Sequence, residues 1–146
     1  MREDRGQTAA AAAIGERGAT DGPTLLLVDD DAPLRRSLQR AMERRGFTVY
    51  TAGTLQGSLS LAHSIRPEYA VIDLRLEDGS GLELARRLRE LHAPVRILIL
   101  TGYGNIAAVV AAVKASAVDC LAKPVDADEV INALLGSTLR APEARP

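Results

Sequence analysis

Residues 25–31 read Leu25-Leu26-Leu27-Val28-Asp29-Asp30-Asp31. Four apolar side chains give way at once to three carboxylates. A strand covered by helices on both faces is apolar without alternation, and an acid at its end marks the edge where the chain leaves the core. The same shape recurs in Tyr69-Ala70-Val71-Ile72-Asp73 and in Ile97-Leu98-Ile99-Leu100-Thr101, and Val118–Ala122 leads to Lys123-Pro124. Between these runs the spacing turns helical. Leu34, Leu38 and Ala41-Met42 share a face that closes at Gly46, after which Phe47–Thr51 reads as a second strand. Residues 54–65 form a helix stopped by Pro67. Residues 79–91 carry Leu82, Leu84-Ala85 and Leu88 and end before Pro94. Residues 105–115 carry Ile106, Val109-Val110 and Val113, and Asp126 opens a last helix through Leu135.

Five strand–helix units of this kind predict an α/β domain built on a five-stranded, doubly wound parallel sheet of order 2-1-3-4-5, a flavodoxin-like arrangement. The carboxyl ends of all strands then share one edge, with a switch point between the first and third strands. Asp29, Asp30, Asp73, Thr101 and Lys123 all fall on that edge. The domain is expected over residues 23–137. Residues 1–22, rich in Ala, Gly and charge, read as a disordered arm, and residues 138–146, with Pro142 and Pro146, as a tail or linker start.

The bulk numbers narrow the function. The chain has 146 residues, a formal net charge of -1 and 25% charged residues, which does not mark a global nucleic-acid or membrane binder. No apolar run approaches the ~18 residues of a bilayer span, and the charged start does not read as a secretory signal. The single cysteine, Cys120, excludes an internal disulfide framework and fits a reducing cytoplasm. His63 and His92 lie on different helices and read as surface residues.

Carboxylates converging within a few ångströms repel one another. Two unit charges ~4 Å apart cost about 4 kcal/mol at an effective dielectric of 20, so either their pKa values rise or a cation binds. An oxygen-only set suits Mg²⁺. Lys123 adds a compact positive charge and Thr101 a hydroxyl, both suited to phosphoryl oxygens. A carboxylate nucleophile in such company is a candidate for forming an aspartyl phosphate. With two lysines against sixteen arginines in the chain, a lysine at this position is itself informative.

In this order, the motifs Leu-Leu-Val-Asp29-Asp30-Asp31, Val-Ile-Asp73-Leu, Leu-Thr101-Gly102 and Leu-Ala-Lys123-Pro124 closely resemble the receiver domain of bacterial two-component response regulators. The resemblance covers about residues 24 to 136. The segments Asp73-Leu-Arg-Leu-Glu-Asp-Gly-Ser-Gly81 and Leu-Thr-Gly-Tyr-Gly-Asn-Ile further resemble the RegA/PrrA-type redox-responsive global regulators. The resemblance implies that Asp73 accepts a phosphoryl group from a sensor histidine kinase. It implies that Asp30 and Asp73 bind Mg²⁺, with Asp29 assisting through water and the backbone carbonyl of Arg75 as a further ligand. Thr101 and Lys123 would sense the phosphoryl oxygens, and the Lys123-Pro124 peptide is expected to be cis. Asp31 is expected to cap the first helix. Arg35-Arg36, Arg44-Arg45 and Arg86-Arg87 read as helix surface charge, with Arg35 or Arg36 a candidate for kinase docking.

The sequence departs from the family pattern in places. Cys120 stands where an aromatic switch is usual, which Tyr103 would supply from the loop instead. Cys120 reads as a small buried apolar residue more than as a redox sensor. Glu77 replaces a common proline. Ser116 replaces a helix-ending glycine, at roughly 1 kcal/mol if that position is left-handed. Arg75 and Tyr103 are bulky where the family tunes phosphoryl lifetime, which predicts slow loss of phosphate.

The expected function is a self-phosphorylating switch, not a turnover enzyme. Its output would pass through the face made by the fourth helix, fifth strand and last helix, which would also serve a phosphorylation-dependent homodimer. Control of transcription would need a C-terminal helix-turn-helix DNA-binding domain, for which the residues after the last helix are too few. The alternatives are a stand-alone phosphorelay module and a Mg²⁺-dependent phosphatase with an Asp nucleophile. The phosphatase class uses a second acid where Arg75 stands. A nucleotide binder lacks support, since no Gly-rich loop follows the first strand.

Overall fold

The computed structural model describes residues 22–102 and 119–136. The run after Pro23 forms β1 (Thr24–Val28), whose Leu25 to Val28 are at most 1% exposed. Asp31 ends the following loop and caps α1 (Ala32–Arg44), its carboxylate accepting from the Leu34 N–H at 3.1 Å. Leu38 and Met42 form the buried stripe of α1, and Gly46, at φ 99°, turns the chain after its last turn. β2 (Thr48–Ala52) runs to Thr54, which caps α2 (Leu55–Ile65). β3 is Tyr69–Asp73.

A short antiparallel hairpin follows, β4 (Arg75–Leu76) against β5 (Gly79–Ser80), and leads into α3 (Gly81–Leu91). β6 (Arg96–Thr101), β7 (Asp119–Ala122) and α4 (Ala127–Ile131) complete the described chain, with a π-helical turn over Asn132–Gly136. Asp126 and Glu129 form a reciprocal capping box at the start of α4.

The five long strands form one parallel sheet of order β2-β1-β3-β6-β7. This is the doubly wound order expected from the sequence, with the switch point between β1 and β3. Alternate strand residues feed two cores. Leu26, Val28, Ile72 and Ile99 pack with Leu59 of α2 and with Leu84 and Leu88 of α3. Leu25, Leu27, Val71, Leu98 and Leu100 pack on the other face with Leu38 and Met42 of α1 and Val130 of α4. With both faces covered, the three central strands β1, β3 and β6 need no alternating polar positions, which is why 25–28, 69–72 and 97–100 are continuous apolar runs.

Two expectations are corrected. The third helix begins at Gly81, not Gly79: Gly79 pairs with Leu76, and the Ser80 hydroxyl accepts from the Leu82 N–H at 3.0 Å as the true N-cap. The last helix widens to a π-turn after Ile131. The expected helix over 105–115, Tyr103, Ser116, residues 1–21 of the arm and the tail lie outside the described residues. Among the described residues no helix is long and apolar enough to cross a membrane.

Candidate functional site

β1 and β3 lie side by side with Val28 level with Ile72, so Asp29 and Asp30 leave the sheet beside Asp73. Carboxylate oxygens of Asp29, Asp30 and Asp73 lie within 4.8 Å of one another. Asp29 is 0% and Asp73 8% exposed, whereas Asp30 faces solvent. From the far side of β3, Lys123 reaches back over the sheet edge. Its Nζ stands 3.0 Å from Asp29 Oδ2 and 3.4 Å from Asp73 Oδ1. The Lys123 N–H donates to the Thr101 carbonyl at 2.7 Å, which ties the end of β7 to the end of β6. Thr101 is 1% exposed, and the Lys123-Pro124 peptide is cis, as expected. The structure therefore brings together Asp29, Asp30, Asp73, Thr101 and Lys123.

The electrostatics of this cluster are unresolved within the protein itself. Burial raises the Asp73 pKa above its ordinary value, the Asp29 charge adds to that, and Lys123 offsets only part of it. Burial would lower the Lys123 pKa, but its contacts with Asp29 and Asp73 outweigh burial and raise it. Asp29 Oδ2 is buried and receives no aligned hydrogen bond, so its compensation is an ion pair alone. A buried acceptor left short of donors, facing two further carboxylates, fits a hard divalent cation with oxygen ligands.

The surrounding loops hold this edge in place. α3 starts directly behind Asp73: the Gly81 N–H donates to the Leu74 carbonyl at 2.7 Å, and a Cβ on Gly81 would collide with the Asp73 carbonyl. Asp78, at the hairpin tip, accepts from the Leu55 and Gln56 N–H groups at 2.7 and 3.1 Å. Those backbone hydrogen bonds lower its pKa. The hairpin that carries Arg75 is thus latched to the N-terminus of α2. Neither the hairpin nor these two residues was anticipated. Asp78 and Gly79 carry only a general turn signal, since Gly is favoured at the last position of a four-residue turn such as Leu76–Gly79.

Cys120 on β7 is half-buried and packs against the core side that holds α2 and α3. Burial first, then the Asp119 charge, raises its pKa, which disfavours the reactive thiolate. Tyr103, the expected aromatic of the loop, lies outside the described residues.

A five-stranded parallel sheet carrying two acids after the first strand, one at the end of the third, a hydroxyl residue at the end of the fourth and a lysine after the fifth defines a class. The chain belongs to the response regulator receiver domain family, whose model matches residues 25–135. It is 51% identical over 125 residues to the photosynthetic apparatus regulatory protein RegA of Cereibacter sphaeroides, spanning 84% of this chain and 68% of that one. It is 36% identical over 111 residues to the transcriptional regulatory protein FixJ of Rhizobium meliloti, spanning 76% and 54%. Among solved structures, a response regulator of Burkholderia pseudomallei is 38% identical and superposes with a TM-score of 0.72, over 84% of this chain and 73% of that one. That crystal structure holds a phosphorylated aspartic acid, a calcium ion and citrate. This chain is accordingly a two-component receiver domain related to transcription regulators.

Proposed function

We propose that Asp73 accepts a phosphoryl group from a sensor histidine kinase in the cytoplasm. In that step an Asp73 oxygen bonds to phosphorus while the P–N bond of the phosphohistidine breaks and the imidazole leaves with the electron pair. Asp30, Asp73 and the Arg75 carbonyl would hold Mg²⁺, with Asp29 acting through water. The ion would supply positive charge opposite the transferring oxygens. Lys123 would leave its present contacts with Asp29 and Asp73 to meet a phosphoryl oxygen, and the Thr101 hydroxyl would meet another. The observation that carries this reading is the set of three carboxylates within 4.8 Å of one another beneath a lysine 3.0 and 3.4 Å from two of them.

Output is proposed to be transcriptional and redox-linked, through a helix-turn-helix DNA-binding domain joined to the receiver. A phosphorylation-dependent homodimer would form on the face of the fourth helical segment, β7 and α4. The likeness to the transcriptional regulatory protein FixJ supports the transcriptional output. Arg75 and Tyr103 are proposed to slow phosphoryl loss by shielding the acyl phosphate. An unchanged decay rate in the Arg75→Asn/Tyr103→Ala variant would count against that role.

Incubation with Mg²⁺ and acetyl phosphate tests the central reading. One alkali-labile phosphate per chain, lost in Asp73→Asn and without Mg²⁺, is expected. Sustained turnover of phosphate esters would instead indicate the phosphatase chemistry.

A further inference from the structure

Asp29 is held on every side. Its N–H donates to the Ala52 carbonyl at 3.2 Å, its Oδ1 accepts from the Asp31 N–H at 2.9 Å, and its Oδ2 faces Lys123. Its carbonyl accepts from Arg35 Nη1 at 2.6 Å. Arg35 lies in the first turns of α1, but its side chain folds back over the β1–α1 loop and is only half-exposed. The slot that admits it is made by Gly53, just past the end of β2. A Cβ on Gly53 would stand 3.1 Å from Arg35 Nη1 and 3.9 Å from the Asp29 carbonyl oxygen.

The carbonyl that Arg35 grips belongs to the peptide unit joining Asp29 to Asp30. A peptide unit is a rigid plane, so fixing its oxygen fixes the direction in which Asp30 leaves the strand. A hydrogen bond from a guanidinium to a carbonyl is charge-assisted and roughly twice as strong as a neutral one. Asp30 is the exposed member of the acidic cluster. Being on the loop beyond β1, it depends on that peptide plane for its aim.

We propose that Arg35, seated in the slot left by Gly53, is a positioning residue for divalent-cation binding by Asp29 and Asp30. The proposal rests on the metal reading above. It also changes the reading of Arg35 from surface charge to a part of the site's support. Groups that orient metal ligands in this way are commonly worth 10–100-fold in affinity.

Calorimetric titration with MgCl₂ alone tests it, without any phosphoryl donor. Arg35→Ala is expected to weaken Mg²⁺ binding about tenfold. Gly53→Ala, whose Cβ would stand 3.1 Å from Arg35 Nη1 and push the guanidinium off the Asp29 carbonyl by a few tenths of an ångström, should weaken binding in the same direction but by less. Gly53→Ala should have no further effect in the Arg35→Ala background, because it acts only by displacing the guanidinium. Arg35→Lys should recover part of the loss, and Arg40→Ala, exposed on the same helix, should bind as the wild type does. Urea denaturation in EDTA verifies that each variant is folded. Mg²⁺ uptake by the wild type with unchanged binding in Arg35→Ala and Gly53→Ala would overturn this proposal alone, as would additive effects of the two substitutions. No uptake by the wild type would overturn the metal reading and this proposal with it.

Discussion

Asp73 is ionised at a cost that the fold itself imposes. Burial raises its pKa from 3.8, the Asp29 charge raises it further, and Lys123 only partly compensates. Between 3.8 and the raised native value the folded chain binds more protons than the unfolded chain, so this group's contribution to stability falls as pH rises. Asp73→Asn should therefore be more stable than the wild type at pH 7 in EDTA, with the gap closing as the pH approaches 3.8; urea denaturation across pH measures it. An equal or lower stability at neutral pH would contradict the cause assigned here. Lys123 has the opposite role. Asp29 is 0% exposed and its Oδ2 has the Lys123 ion pair as its compensation. Removing one partner of such a pair leaves an uncompensated buried charge, so Lys123→Met should cost about 3 kcal/mol without metal. Adding Asp73→Asn should recover part of that loss by removing one of the carboxylates Lys123 serves. The Lys123 pKa is raised, so this stabilisation is fully present below its ordinary value of 10.5 and is lost as pH rises through the folded value.

The secondary-structure elements differ in how well their ends are specified. α1 and α4 start on side-chain caps at Asp31 and Asp126, but α2 ends at Arg66 in the left-handed region, φ 46° and ψ 69°. A Cβ is disfavoured there and glycine is not, so Arg66→Gly should stabilise the chain by about 0.5–1 kcal/mol in urea denaturation. The Asp78 latch ties the hairpin to the opposite end of α2. Because hydrogen bonds from Leu55 and Gln56 lower its pKa, its contribution is present above 3.8 and is lost as the pH falls through the lower folded value. These differences explain what the sequence made legible. β1, β3 and β6 are continuous apolar runs ended by Asp29, Asp73 and Thr101, and helix periods between them impose right-handed crossovers. Strand ends therefore carried most of the site as well as the fold. The β4–β5 hairpin was not legible, because two-residue strands have no period and Gly79-Ser80 also reads as a helix start. Asp78 acts on a residue 23 positions away, and Arg35 acts through space opened by Gly53, so neither contact leaves a local pattern.

At the scale of the whole molecule, two cores on opposite faces of one sheet hold a single edge on which like charges are forced together. α1 and α4 support that edge from one side, α2 and α3 from the other. The fold thus fixes Asp73 in a place where its charge disfavours the native state, and a cation bound only by the folded chain offsets that penalty. Binding linkage sets the size of the effect: at a free Mg²⁺ concentration 100 times its Kd, the native state should gain about 2.7 kcal/mol over the EDTA form. The same acids give the increment a pH dependence. As the pH falls toward the raised pKa of Asp73, protons compete with the cation for its carboxylate, so the increment should shrink while the EDTA form loses less from Asp73 repulsion. Urea denaturation with and without Mg²⁺ at several pH values measures both. Asp30→Asn, which alters the exposed carboxylate of the cluster without touching either core, should remove most of the increment and leave the EDTA stability nearly unchanged. An increment that persists in Asp30→Asn, or one that grows as the pH falls, would place the cation somewhere other than this edge.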